Sequence, residues 1–318
     1  KICRPSIDSS AFSDFKATSF MGKLKTLFLA TRPSFLLITF LGCLIGLLLP
    51  QSLQISWYIK VLAIAVAVTS HAAANLINDY FDHVNGSDAI NTDRVSPFTG
   101  GSRFIQNRTL SPQTIFHLAL ILLLIGSGIG LYVCYKTTWL LLPIGGMGVL
   151  IAWAYSAPPL ELMSKGIFGE IAIALAWSLI VVGFAVLETN QFEINAILIG
   201  IAYGLMVSNI LLINQIPDIK ADKKANKQTL ATRSTQKGLQ YWYVGIFCAA
   251  YVSQFCAVYF FSMPMNSLIT VVALPGFIVN ATQIKDASLS REKLKKLIIR
   301  NIVSVHLYAA LLCFSFVF

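Results

Sequence analysis

The chain has 318 residues, of which 56% are hydrophobic and only 12% charged, against roughly 25% charged in an ordinary soluble domain. With a mean hydropathy of +0.71, this excludes both disorder and a conventionally solvated surface. In a soluble protein the net charge of +10 would suit nucleic acid; here it reads as loops lying beside anionic membrane lipid, with no nucleic-acid partner.

Lys1 to Gly22 is polar and mixed, without a signal-peptide layout, and reads as a cytoplasmic tail (1–22) before a single membrane-embedded domain over 23–318. Nine apolar segments follow, over about 24–49, 57–78, 112–134, 138–156, 167–187, 192–216, 239–261, 266–284 and 299–318, each near the length that crosses a bilayer. Arg32-Pro33 interrupts the first, and Asn266, Pro275, Asn280 and Gln283 dilute the eighth. The stretch Ser290–Arg300 reads as a short amphipathic lead-in to the ninth. The fold class predicted is all-α, a polytopic membrane bundle of nine transmembrane helices. With the N-terminus in the cytoplasm, all of the 24 basic residues except Lys60 and Lys136 fall on inside segments, as the positive-inside rule requires. The six cysteines form no CxxC pair and read as small buried hydrophobes.

Two inside loops, 79–111 and 217–238, begin with acidic residues where basic ones are favoured. In the first, at 100° per residue, Asn75, Asn78, Asp79 and Asp82 share an arc of about 100° if the second helix runs on through Asp82. Gly86 then permits a turn that brings Asp88 back toward the helix end. In the second, Asn214, Asp218 and Asp222 are four apart, Pro217 bends or breaks the helix end, and Lys220, Lys223, Lys224 and Lys227 follow. Five carboxylates in two clusters repel one another and are costly to desolvate near lipid. Divalent cations would offset both costs, and Mg²⁺ takes hard oxygen ligands that it shares with phosphates. Two or more ions would hold a diphosphate between the clusters, with Lys and Arg on its outer oxygens. The same spacing also suits a wet loop whose Asp residues cap helices and pair with Lys. A weak internal duplication is a further reading, since helices two and six both end in Asn/Asp-rich loops. Glu170 sits just inside the fifth segment and is expected to pair with Lys165 or a basic cavity residue. His71 reads as a packing or cavity residue, and His117 and His306 as structural; no two histidines have ligand spacing.

Asn78-Asp79-Tyr80-Phe81-Asp82 and Asp218-Ile219-Lys220-Ala221-Asp222, each following a helix, resemble the paired motifs of the UbiA-type membrane prenyltransferases. The run Asn78 through Asp88, with Gly100-Gly101-Ser102-Arg103, Tyr155-Ser156-Ala157-Pro158-Pro159 and Asp222-Lys223-Lys224-Ala225, most resembles the branch that prenylates 1,4-dihydroxy-2-naphthoate for menaquinone. Three features depart from the wider family: Gly86 stands where many members carry a third Asp, Glu161 where a basic residue is common, and Asn214-Gln215 precedes Ile216-Pro217-Asp218.

The resemblance implies nine helices around a cytoplasm-facing cavity in a bacterial inner membrane, Mg²⁺ as cofactor, and a polyprenyl diphosphate and an aromatic acceptor as substrates. It implies metal ligation by Asp79, Asp82, Asp88, Asp218 and Asp222, with Asp79, Asp82, Asp218 and Asp222 central to catalysis. Asn75, Asn78 and Asn214 would orient metal water or bind diphosphate, or else satisfy helix-end backbone groups. Arg32, Arg94, Arg103, Lys220, Lys223 and Lys227 are diphosphate candidates, with retention beside anionic lipid as the plainer reading. Tyr155 and Ser156 would lie near the acceptor. Alternatives are another acceptor (4-hydroxybenzoate, a chlorin, haem or a lipid glycerol) or transport of an anionic substrate.

Overall fold

The structure, a computed structural model, describes residues 20–50, 55–284 and 290–318. Most of the expected tail, 1–19, lies outside them. Where it is described, the chain is already helical: α1 (Phe20–Ala30) precedes α2 (Pro33–Leu48), and the two are bent by 58°. Arg32 sits at the bend with φ 56°, and Pro33 opens α2 as a first-turn proline. The break lies within the first apolar segment, so that segment is a bent pair.

The remaining elements follow in order: α3 (Trp57–Val84), α4 (Ser87–Ile90), α5 (Pro112–Lys136), α6 (Leu141–Ala154), a 3-10 turn (Leu162–Ser164), β1 (Lys165–Gly166), α7 (Phe168–Thr189), α8 (Ile194–Gln215), α9 (Ile219–Lys224), β2 (Gln228–Thr229), α10 (Leu230–Arg233), α11 (Gln236–Phe260), a 3-10 stretch (Met265–Ala273) running into α12 (Leu274–Ile284), and α13 (Arg291–Val317). Among the described residues seven helices are long and apolar enough to cross a membrane, or eight if the α1–α2 pair forms one span. The fourth predicted span is the shortfall. α6 has 14 residues and reaches about 21 Å, against a hydrocarbon core of about 30 Å. The predicted lead-in and the ninth span form one continuous helix, α13.

The core centres on α8, the most buried span, which packs against α7 and α11, with α2 and α13 beside it. A Cβ at Gly204 would collide with the Ala174 carbonyl, so the α7–α8 approach depends on glycine there. A second interface joins α3 to α5 through Ala73, Leu76, Ile77, Ile115, Ala119 and Leu123. The one departure from an all-helical chain among the described residues is a parallel pairing of β1 with β2, in the register Lys165↔Gln228 and Gly166↔Thr229. It ties the loop after α6 to the loop after α9.

α7 and α8 are consecutive and closely packed, so the end of α8 that carries the second acidic motif lies beside the start of α7. At the opposite end Lys60 pairs with Glu188 at 2.6 Å, joining the start of α3 to the end of α7. Between the two ends runs a cavity of about 1230 Å³, lined by α2, α3, α5, α6, α7, α8 and α13.

Candidate active site at the acidic end of the cavity

Each acidic motif is built in the same way, as a long helix followed by a sharp break and a short helix. α3 carries Asp79 and Asp82 in its last turns; Gly86, at φ 80°, turns the chain into α4 and Asp88. α8 ends before Pro217, and Asp218 then stands at the N-cap of α9, which carries Asp222. α4 packs on α9, so the two motifs meet across the mouth of the cavity. Asp82, Asp88, Asp218 and Asp222 all line it, together with Arg32, Asn75, Asn78, Tyr155 and Lys227.

Asp79 is buried behind this rim. It is ion-paired with Arg32 and accepts the Ser102 backbone N–H at 3.2 and 3.3 Å. Gly101 makes that approach possible: its φ is +70°, and a Cβ there would lie 2.6 Å from Asp88 Oδ2 and 3.1 Å from Asp79 Oδ1. Asp88, also buried, accepts from Gln106 Nε2 at 3.1 Å, while its backbone carbonyl accepts from the Arg103 guanidinium. Asp218 accepts from Asn91 Nδ2 at 2.7 Å. Asp82 accepts from Asn78 Nδ2 at 3.2 Å, and Asn78 also reaches Ser156 Oγ at 3.3 Å. Asn75 donates to the Thr31 carbonyl at 3.0 Å and braces the helix break.

Lys227 joins the clusters. Its ammonium lies 2.5 Å from Asp82 Oδ1 and 4.0 Å from Asp222 Oδ1, so those oxygens lie no farther apart than the two distances combined. Burial alone would lower its pKa, but Asp82 and Asp222 outweigh burial and hold it above the ordinary lysine value. Burial, with Asp82 and Asp79 adding repulsion, pushes Asp88 up to about 7. Burial also pushes Asp222 up to about 7 against the opposing pull of Lys227, and raises Asp218 despite its bond from Asn91. Five aspartates meet two paired cations here, Arg32 and Lys227, so the motifs have more carboxylates than their own cations can neutralise.

The other basic candidates divide. Lys220 is exposed and pairs with Asp93 at 2.9 Å, and Lys223 is exposed. Neither lines the cavity. Arg94 lies outside the wall; its backbone carbonyl accepts from Arg291 at 3.0 Å. Arg103 braces α4 from behind. Arg32 and Arg103 each retain a buried Nε with no partner, leaving unused donors around the mouth. Tyr155 lies on the wall at the end of α6, and Ser156 beneath it supports Asn78. Glu170 does not pair with Lys165. It accepts from Gln215 Nε2 at 2.9 Å, whose Oε1 accepts from Ala231 N at 3.1 Å, while Lys165 donates to the Pro159 carbonyl. Asn91 escaped the sequence reading, and Gln106 and Gln215 carry no assigned role there, because their partners are distant in the chain and amides give no periodic signal.

Among the described residues no three carboxylate, histidine or cysteine side chains already converge as a metal-ligand group. The donors at the mouth are nonetheless carboxylate and amide oxygens, the chemistry hard divalent cations take, and the Lys227 ammonium marks a cationic position between the motifs.

A model of the UbiA prenyltransferase family matches residues 37–305. The 1,4-dihydroxy-2-naphthoate octaprenyltransferase of Bacillus subtilis (strain 168) is 30% identical over 269 residues, covering 79% of this chain and 81% of its own length. Its Mycobacterium tuberculosis (strain ATCC 25618 / H37Rv) counterpart is 28% identical over 200 residues, covering 63% and 66% respectively. A UbiA homolog from Archaeoglobus fulgidus, solved bound to DMAPP and Mg²⁺, has a TM-score of 0.62 at 16% identity, over 90% of this chain and 98% of its own, a likeness of fold. The family match spans both acidic motifs and the helices that bring them together: the chain belongs to the UbiA prenyltransferase family and is a membrane-embedded prenyltransferase.

Proposed function

We propose that the protein transfers a polyprenyl group from polyprenyl diphosphate to 1,4-dihydroxy-2-naphthoate, with Mg²⁺ held at the two acidic motifs. The observation that carries this reading is the Lys227 bridge between Asp82 and Asp222 at the mouth of a long, largely apolar cavity. A charged headgroup fits the mouth and an isoprenoid tail fits the wall. The names of the relatives favour the dihydroxynaphthoate acceptor over 4-hydroxybenzoate, a chlorin, haem or a lipid glycerol. Membership of a transferase family removes the reason for a transport reading.

Asp79, Asp82, Asp88, Asp218 and Asp222 would hold two or more Mg²⁺ ions. When bound, the metal neutralises charge on the departing diphosphate. Lys227 and Arg32 flank the same oxygens and would stabilise that charge by hydrogen bonding. Arg94, Arg103, Lys220 and Lys223 would form an outer basic field that draws the anion in. Asn75 and Asn78 would fix the diphosphate, and Tyr155, supported near Ser156, would face the allylic carbon. The ring carbon bearing the carboxylate attacks that carbon as its bond to diphosphate oxygen breaks, and carbon dioxide then leaves. The acidic end faces the cytoplasm of a bacterial inner membrane, in keeping with the distribution of Lys and Arg, and residues 23–318 act as one domain.

Purified protein in detergent, given labelled polyprenyl diphosphate and a panel of acceptors, tests this. Dihydroxynaphthoate is expected to yield prenylated product, diphosphate and carbon dioxide, all lost with EDTA and restored by Mg²⁺. Product from hydroxybenzoate and none from dihydroxynaphthoate would overturn the acceptor assignment. Near-normal turnover in Asp82→Asn or Asp222→Asn would overturn the metal assignment.

A further inference from the structure

His71, Asn75, Asn78 and Asp82 form one stripe of α3, within about 60° at 100° per residue, and all four line the cavity. His71 is the deepest of them. It lies eight residues, or about 12 Å of helix rise, before Asp79, at a level where most of the wall is apolar. Its Nδ1 is hydrogen-bonded to Thr39 Oγ1 of α2 at 2.8 Å. Its ring meets Trp177 of α7 edge to face, with centroids 5.0 Å apart and planes at 83°. Three helices thus fix one imidazole. Its other ring nitrogen, Nε2, makes no hydrogen bond among the described residues. Trp177 also lines the cavity, is 8% exposed, and has an indole N–H that is buried without a partner.

An isoprenoid tail has no polar atom and cannot satisfy either group. Against such a tail the buried Trp177 N–H stays without a partner, which is unfavourable in an apolar wall. A hydroxylated aromatic ring supplies both an apolar face and oxygens able to donate or accept, whichever tautomer the Thr39 contact selects. We infer that His71 and Trp177 form the acceptor-recognition site, with His71 Nε2 and the Trp177 N–H meeting a ring oxygen of the aromatic acceptor while Thr39 holds the imidazole. This rests on the proposed reaction and deepens it. It places the acceptor's polar edge below the diphosphate, so the ring lies between His71 and the allylic carbon.

Steady-state kinetics on the full-length enzyme test it. His71→Phe is expected to raise the acceptor KM about tenfold, the loss from one hydrogen bond to a substrate oxygen, with the polyprenyl diphosphate KM changing less than twofold. Trp177→Phe and Thr39→Val are expected to move the same parameter in the same direction, and they stand in should His71→Phe fold poorly. As competitive inhibitors, 1-hydroxy-2-naphthoate and 4-hydroxy-2-naphthoate should separate: the one lacking the recognised oxygen should bind wild type and His71→Phe alike. An unchanged acceptor KM in all three variants, or equal rises in both KM values, would overturn the inference. Wild-type failure to prenylate any hydroxylated aromatic would instead overturn the proposed function; wild-type turnover with unaffected variants would overturn this site alone.

Discussion

Replacing Lys227 with methionine keeps most of the side-chain volume and removes the charge between the acidic motifs. The residue is 7% exposed, and its ammonium lies 2.5 and 4.0 Å from Asp82 and Asp222. Removing one partner of a buried pair strands the other charge and costs about 3–5 kcal/mol. At about 2–4 °C per kcal/mol, the metal-free variant should unfold on the order of 10 °C earlier in detergent. The pH dependence sharpens the test. The raised pKa of Lys227 means that its contribution is fully present below the unfolded lysine value and lost only in strong alkali. Asp88 and Asp222 are pushed up from 3.8 to about 7. A carboxylate with a raised folded-state pKa supports stability in acid and loses that support as pH rises through about 7. Metal-free wild type should therefore destabilise between pH 5 and 8, and the Lys227→Met deficit should be larger at pH 8, where more negative charge is stranded. Mg²⁺ should recover much of the deficit, because a cation at the mouth substitutes for the ammonium. Thermal unfolding at the two pH values, with and without Mg²⁺, reads all three effects. A variant as stable as wild type at pH 8, or one that Mg²⁺ leaves unchanged, would refute the view that the motifs form one electrostatic unit.

Other substitutions probe separate parts of this arrangement. Gly101→Ala is expected to cut transfer at least a hundredfold in a steady-state assay, because the new Cβ meets Asp88 Oδ2 at 2.6 Å from a backbone at φ +70°. Gln215→Leu strands Glu170 and the Ala231 N–H; it should cost about 1–3 kcal/mol, seen as a lower unfolding midpoint and faster proteolysis near Ala231. Lys220→Ala removes only the exposed pair with Asp93. Its unfolding midpoint should stay within the roughly 0–1 kcal/mol of a surface salt bridge, while its kcat/KM for the diphosphate substrate should fall a few-fold at low salt and recover at high salt, as the loss of one charge from the outer basic field requires.

The contrast between Lys220 and Lys227 shows what could be read from the chain and what could not. The acidic motifs were legible because hydrophobic runs end where carboxylates begin at helical spacing, and the continuation of α3 through Asp82 follows from that spacing. The direction of each lysine was not. Both lie in one basic segment, but α9 ends at Lys224 and Asn226, at φ 57°, turns Lys227 back under Asp82 while Lys220 stays outside. The partner of Glu170 was misjudged for a similar reason: Lys165 is near in sequence, but β1 fixes its backbone opposite Gln228, and Gln215 reaches Glu170 from the neighbouring helix. The length of α6 was also hidden, since hydropathy continues through turn residues that end a helix as readily as through those that extend it.

The supports around the motifs explain why so much buried negative charge persists in a folded chain. Each carboxylate is held by a group from another segment: Asp79 by Arg32 and the Ser102 amide, Asp88 by Gln106, Asp218 by Asn91, and Asp82 and Asp222 by Lys227. Most of these holders are neutral amides, which orient an oxygen without cancelling its charge. A salt-bridged rim with a cation for every carboxylate would be more stable by itself but would have little affinity left for a metal–diphosphate headgroup. Holding five carboxylates largely with amides and two cations keeps them aligned and under-neutralised, the condition in which an incoming divalent ion gains most. That is why substitutions at the neutral holders, Asn91 above all, should weaken metal binding more than they weaken the fold.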